Sequence, residues 1–212
     1  MDFNRVYGVP TPENEFFLRD VGVLEDEIAL LQVTRIVRRK GIETAISLID
    51  QLNDKKLKLV ITGNNNDDEN KEYYNELIDQ IHDLNLSSQV IFAAHKVLDH
   101  KDLSDVYAHG RAATYFSTYE GFGNAFVETV LAKKPIFVND YKPVYSQDIG
   151  NKGFETVMIT DSNLTPESVQ QMSDIIYNPK RCLEIGEYNF NIGKKHFSYE
   201  VLEEKLSQLF KF

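Results

Sequence analysis

The feature that most constrains this chain is a regular alternation between two patterns. Six short runs are apolar almost throughout: Ile28–Val33, Leu57–Thr62, Gln89–Ala93, Ala112–Phe116, Pro135–Asn139 and Glu155–Ile159. A strand that is apolar at successive positions buries both of its faces, as parallel strands do when helices cover the sheet on either side. Between the runs the spacing becomes helical. Ile42, Ala45, Ile46 and Ile49 follow i, i+3, i+4, i+7, and so do Tyr74, Leu77, Ile78 and Ile81. Strands alternating with helices predict an α/β fold: an open, doubly wound, Rossmann-like parallel sheet flanked by helices, with right-handed connections. Ligands of such sheets bind beyond the carboxyl ends of the strands, which directs attention to the loops after Val33, Thr62, Ala93, Phe116 and Asn139.

The flanks read differently. Residues 1–27 are loop-like, interrupted by Gly8, Pro10, Pro12 and the acidic Glu25-Asp26-Glu27, and are expected to be a linker-like segment. Near the other end, Thr165-Pro166-Glu167 reads as helix cap, first-position proline and first-turn acid. Ser198 with Glu200 marks a further helix start, followed by Leu202, Leu206 and Leu209, and its apolar face ends Leu209-Phe210-Lys211-Phe212. The polar stretch Asn64–Asn70 is expected to be an exposed loop.

Length and charge limit the function. A chain of 212 residues buries a core without staples, and its single cysteine, Cys182, excludes an internal disulfide. No apolar run approaches the roughly 20 residues needed to span a bilayer. The start, Met1-Asp2-Phe3-Asn4-Arg5, lacks a signal peptide's apolar stretch, so a cytoplasmic location is expected. A net charge of -10 argues against nucleic acid as a partner. Against that acidity, Arg35, Arg38, Arg39 and Lys40 cluster after the first strand, which suits a small anionic ligand and equally a solvated helix start.

Two segments carry candidate chemistry. After the fourth strand, Ser117 to Glu128 runs through Glu120-Gly121-Phe122-Gly123-Asn124 into an apolar helix. The glycines admit close approach of a ligand to the backbone, and a helix N-terminus offers N–H groups to a phosphate. Glu120 is expected in the turn and Glu128 about two helical turns further in; each carboxylate accepts from paired hydroxyls. A tight turn with a capping acid and a surface glutamate also fits this spacing. After the first strand, Arg35 follows the strand's end and Lys40 opens the next helix, whereas Arg38 and Arg39 are expected to face solvent. Arginine grips phosphate through two bonds and lysine acts as a point charge. A nicotinamide-dependent dehydrogenase fits poorly, because Arg35-Ile36-Val37-Arg38-Arg39 stands where its glycine fingerprint belongs.

Together these segments make the chain resemble the C-terminal, donor-binding domain of retaining glycosyltransferases of family four (group 1), one half of a GT-B fold. The matching features are Arg35 and Lys40-Gly41 after the first strand, then Glu120 and Glu128 spaced as Glu-x7-Glu around a glycine turn. The resemblance covers residues 28–212. It implies that Arg35 and Lys40 hold the donor diphosphate, Glu120 contacts hydroxyls of the transferred sugar, and Glu128 holds the ribose. Gly121, Phe122, Gly123 and Asn124 would complete the cradle, and Gly63, His95, Lys96 and Val97 would lie near the base. The donor would be a UDP- or GDP-linked sugar, with no metal or other cofactor required, so Asp67-Asp68 is expected to be solvated and not a metal site. His82, His100, His109 and His196 are expected as surface or capping residues.

Three departures stand out. Lys133-Lys134-Pro135 replaces the family's Ala-Gly-Pro, Asn139 to Pro143 replaces a glycine-rich loop, and Gly110-Arg111 replaces Ala-Asp. The string around Glu120 looks closest to a branch that makes sugar-glycerate or similar small glycosides. The resemblance also implies an acceptor-binding N-terminal domain, which these residues leave no room for. The chain is then expected to be a fragment of an enzyme inactive alone, with its last helix packing on that missing domain. The alternative is a non-catalytic nucleotide-sugar-binding module or subunit.

Overall fold

The computed structural model describes residues 1–64, 71–97 and 102–210. Asn65 to Asn70, including Asp67-Asp68, lie outside the described residues, as do His100, Lys211 and Phe212. The core is a six-stranded parallel sheet of β1 (Ile28–Gln32), β2 (Leu57–Ile61), β3 (Val90–Phe92), β4 (Ala112–Tyr115), β6 (Ile136–Asn139) and β8 (Val157–Ile159), ordered β3-β2-β1-β4-β6-β8. Each strand falls inside one of the six apolar runs, so the doubly wound α/β architecture stands as expected. A separate two-stranded sheet joins β5 (Tyr119–Glu120) to β7 (Lys142–Pro143).

Alternate strand residues feed two hydrophobic layers. Leu31, Val60, Ala113 and Val138 pack with Tyr107, Phe126, Val127 and Val130 on one face. Leu30, Leu59, Ala112 and Phe137 pack with Ile42, Ile46, Ile49 and Met172 on the other. The first face is covered by α4 (Asp102–His109), α5 (Asn124–Leu131) and α7 (Pro179–Phe197), the second by α2 (Ile42–Leu52), α3 (Lys71–Asp83) and α6 (Pro166–Ile176). Helix α3 buries Leu77 and Ile81 as expected, but Tyr73 takes the place of Tyr74 and Ile78 is exposed. The rotation follows Tyr73, whose phenol accepts from the Ile42 N–H at 3.2 Å and donates to Glu43.

Residues 1–27, expected as linker-like, are strapped to the sheet's first face. They contain one short helix, α1 (Phe17–Asp20), and bury Phe3, Phe17 and Val23 in that layer. Asn14 Nδ2 donates to Asp105 of α4 at 3.2 Å, and the Gly8 N–H donates to the Ser104 carbonyl at 3.1 Å. At the other end Thr165 caps α6 by a reciprocal bond with Ser168, as its sequence predicts. Helix α8 (Tyr199–Phe210) buries none of its residues, and Leu202, Leu206, Leu209 and Phe210 are exposed. No helix among the described residues is long and apolar enough to cross a membrane.

Candidate functional site

Strands β1 and β4 are adjacent, yet the chain leaves them in opposite directions, to β2 and to β6. That divergence opens a crevice at their carboxyl ends. Here it is a cleft of about 350 Å³ whose walls include Arg35, Arg39, Lys40, Tyr115, Glu120, Phe122, Gly123, Asn124 and Glu128. Most of the predicted residues therefore come together. Gly121 is not in the wall. Gly63, His95, Lys96 and Val97 lie beyond it, along the edge formed by β2 and β3.

Buried polar contacts bring the two loops together. Gln32, at the end of β1, donates from Nε2 to the Lys40 carbonyl at 3.3 Å and accepts from Thr114 of β4 at 2.6 Å. The Thr118 N–H donates to the Arg39 carbonyl at 2.8 Å. Gly41 has φ +61°, and a Cβ there would sit 2.2 Å from the Phe116 carbonyl oxygen, so only glycine lets the loops approach this closely. Lys40 does not open α2, as its sequence position suggests. It closes a 3-10 turn, Arg38–Lys40, and α2 starts after Gly41.

That turn sends neighbouring side chains apart. Arg38 points outward to Glu76, with bonds of 2.8 and 2.7 Å. Arg39, expected in solvent, turns into the cleft and meets Glu120 Oε2 at 2.9 Å. Lys40 Nζ binds Glu120 Oε1 and lies over the Tyr115 ring, 5.3 Å from its centroid. Glu120 does not sit in the glycine turn. It is buried on β5, which β7 clamps in register, Glu120 opposite Pro143.

Burial alone would raise the Glu120 pKa, but the hydrogen bond and charge of Lys40 hold the carboxyl below its ordinary value. Burial lowers the Lys40 ammonium, against the opposing pull of Glu120. The two shifts have opposite causes: pairing wins over burial at Glu120, and burial wins over pairing at Lys40.

Helix α5 begins at Gly123, where φ is +101° and no side chain caps the first turn. Its leading N–H groups therefore keep their capacity for an anion. A Cβ on Gly123 would lie 2.6 Å from the Tyr141 hydroxyl, so the turn also requires glycine for space. One turn along, Glu128 Oε2 accepts from the Tyr107 hydroxyl at 3.3 Å. Burial first, then the charge of Glu128, pushes the Tyr107 phenol upward. Tyr107 escapes a sequence reading because it lies in no motif, and Arg39 because its cluster does not show which cation turns inward. Among the histidines, His82 and His95 are exposed, but His109 is not a plain surface residue, since its ring packs on Phe17 and its Nε2 is buried.

The sequence is 29% identical to mannosylglucosylglycerate synthase of Thermotoga maritima, over 98% of this chain and 54% of that protein. The chain spans about half the length of the curated relatives it matches. A structure of Anabaena HepE, described as a complex with UDP and glucose, superposes with a TM-score of 0.74 at 19% identity, over 100% of this chain and 55% of that one. The C-terminal domain of the group 1 protein LpcC from Francisella tularensis superposes with a TM-score of 0.71 at 17% identity, over 94% of this chain and 99% of that one. These structures share the fold. Residues 13–191 match the family described as glycosyl transferases group 1, and the chain belongs to that family.

Proposed function

We propose that this chain holds the nucleoside diphosphate sugar of a glycosyltransferase that transfers the sugar, with retention, to an acceptor presented by a further domain. The observation that carries the proposal is the cleft between β1 and β4, where Arg35, Lys40 and the uncapped start of α5 stand opposite two carboxylates, Glu120 and Glu128. Cations and helix N–H groups at one place suit a diphosphate, and acceptor-only side chains beside them suit the hydroxyls of its two sugars.

On this reading Arg35 and Lys40 neutralise the charge that develops on the departing diphosphate, which is electrostatic stabilisation of a leaving group. Glu120 is now tied to Lys40 and Arg39. Arrival of the diphosphate gives those cations a second anion, and Glu120 turns to the hydroxyls of the transferred sugar. Glu128, steadied by Tyr107, receives the ribose. A volume of about 350 Å³ lies within the range of small-molecule clefts. The Thermotoga relative's name points to small sugar-glycerate glycosides as the product class.

Calorimetric titration with UDP, GDP and ADP tests the donor site. One nucleotide is expected to bind saturably, and Arg35→Ala and Glu128→Ala to abolish binding; equal binding by both variants would sink the assignment. Turnover belongs to the second test, on this chain joined to an acceptor-binding half. There Glu120→Gln should remove transfer and leave nucleotide binding in place. A binding module without catalysis would bind nucleotide and never turn over in any pairing.

A further inference from the structure

A second cavity, of about 310 Å³, lies at the opposite edge of the same sheet, where β1, β4 and β6 begin. Its wall includes His109, Arg111, Lys134, Pro135 and Cys182. Two of the sequence's departures meet here, Gly110-Arg111 before β4 and Lys133-Lys134 before β6. They meet because β4 and β6 are parallel neighbours, so their starts share one edge.

The cations differ in what holds them. Lys133 is already engaged, paired with Glu187 at 2.8 Å and lying over the Phe190 ring at 4.8 Å. Lys134 turns inward and donates to the Ala108 carbonyl at 2.9 Å, near the end of α4, and burial lowers its pKa. That bond uses one of the ammonium's three protons. Arg111 and Lys134 both act on the Cys182 thiol: burial raises its pKa and their charges pull it back. Among the described residues neither cation has a carboxylate partner. Glu27, also in the wall, is paired with Lys58 at 3.0 Å. His109 Nε2 is buried with no hydrogen-bond partner among those residues.

Two half-buried like charges facing one cavity repel each other, and burial of Lys134 adds to that cost, unless an anion neutralises them. The ends of α4 and α5 at this edge supply only about half a charge each. We propose that the cavity is a binding site for a small oxyanion, a phosphate or carboxylate group, gripped by the Arg111 fork and by Lys134 as a point charge. This site is separate from the cleft between β1 and β4, and it stands whether or not that cleft binds a nucleotide.

Cys182 is the chain's one cysteine, so thiol labelling reports on this cavity alone. The rate of maleimide labelling is measured against rising inorganic phosphate, and separately against acetate, with chloride holding ionic strength constant. At least one of the anions is expected to slow labelling fivefold or more, with saturation, in the unaltered chain and in Arg35→Ala. Phosphate alone slowing it identifies a phosphate site, and acetate alone a carboxylate site. In Arg111→Gln the protection should vanish, and Arg111→Lys, which keeps the charge without the fork, should need several-fold more anion. No response to either anion, equal protection in Arg111→Gln, or loss of protection in Arg35→Ala overturns the proposal. Circular dichroism of Arg111→Gln separates lost binding from lost fold; if that variant does not fold, Arg111→Lys protected as well as the unaltered chain overturns it instead.

Discussion

At the carboxyl ends of β1 and β4, Arg39 and Lys40 both hold Glu120, so these two cations of that cleft already have an acid of their own. At the amino ends of β4 and β6, Arg111 and Lys134 share a wall in which the described residues offer them no paired acid. The helices differ in the same sense: α5 begins uncapped at the first edge and ends at the second. A cation held by an internal carboxylate is oriented before a ligand arrives, and the ligand must outbid that carboxylate. A cation with no such partner is neutralised only by what binds. The first arrangement selects for a strongly charged ligand, such as a diphosphate, and leaves a carboxylate free for the ligand's hydroxyls. The second accepts any small anion that fits.

After the abolition of binding expected for Arg35→Ala and Glu128→Ala, the largest effect comes from Lys40→Ala. Removing one of the charge-assisted bonds to a phosphate costs about 1.5–3 kcal/mol, or roughly 10- to 100-fold in affinity. The variant also leaves Glu120 buried with Arg39 as its remaining cation. Calorimetry should therefore record a loss near the upper end for the nucleoside diphosphate that the unaltered chain binds. Arg111→Ala, at the other edge, should change that affinity less than twofold. Equal losses would mean that the two edges form one electrostatic unit, and the contrast between them would be void.

Next in size is a backbone effect inside the cleft. Gly123→Ala forces a left-handed conformation on alanine, at about 1–2 kcal/mol. It also pushes a methyl into the fully buried Tyr141, whose hydroxyl donates to the Phe122 carbonyl at 3.3 Å. Urea denaturation should show a loss of about 2–3 kcal/mol once that bond is disturbed. Gly121→Ala in the same turn meets nothing within 4 Å and should cost under about 1 kcal/mol. Similar costs for the two would show that the turn relaxes, and that the shape of the α5 entrance is not fixed by Gly123.

What the sequence discloses follows from where its signals are redundant. Strands such as Leu57–Ile61 bury both faces and are apolar at all positions but Lys58, whose ammonium is paired with Glu27, so no register has to be guessed. Arg35, Lys40, Glu120 and Glu128 stand out as candidates by their places after strand ends, where spacing leaves a bland reading open, and the resemblance to a family singles them out. The β5–β7 pair is not, because Tyr119-Glu120 and Lys142-Pro143 are too short and polar to carry a period. Arg39 is hidden because a tight 3-10 turn, not an α-helix, decides which of three adjacent cations faces the cleft. Gly63 shows a different limit. A Cβ there would sit 1.8 Å from the Thr34 carbonyl oxygen, so packing alone accounts for this glycine, and sequence cannot separate that need from a ligand's.

The smallest effect is a pH dependence that bears on the Glu120 pair itself. Its folded pKa lies below the ordinary 4.5, so the unfolded chain binds more protons in the interval between the two values. The pair's contribution to stability is therefore complete above 4.5 and is lost as pH falls through the folded value. Glu120→Gln imitates the protonated side chain at every pH. At pH 7 the variant should be less stable, because it leaves the buried Lys40 ammonium without its acid. That gap should close as the pH drops below 4.5. Denaturation midpoints of both proteins between pH 3 and pH 7 measure it. A gap unchanged across the range would mean that glutamine is destabilising for its packing, and that Lys40 and Arg39 are not held by charge. At the other edge Arg111→Gln removes no acid, so no closing gap of this kind is expected there, and the two edges should separate by acid response as well as by affinity.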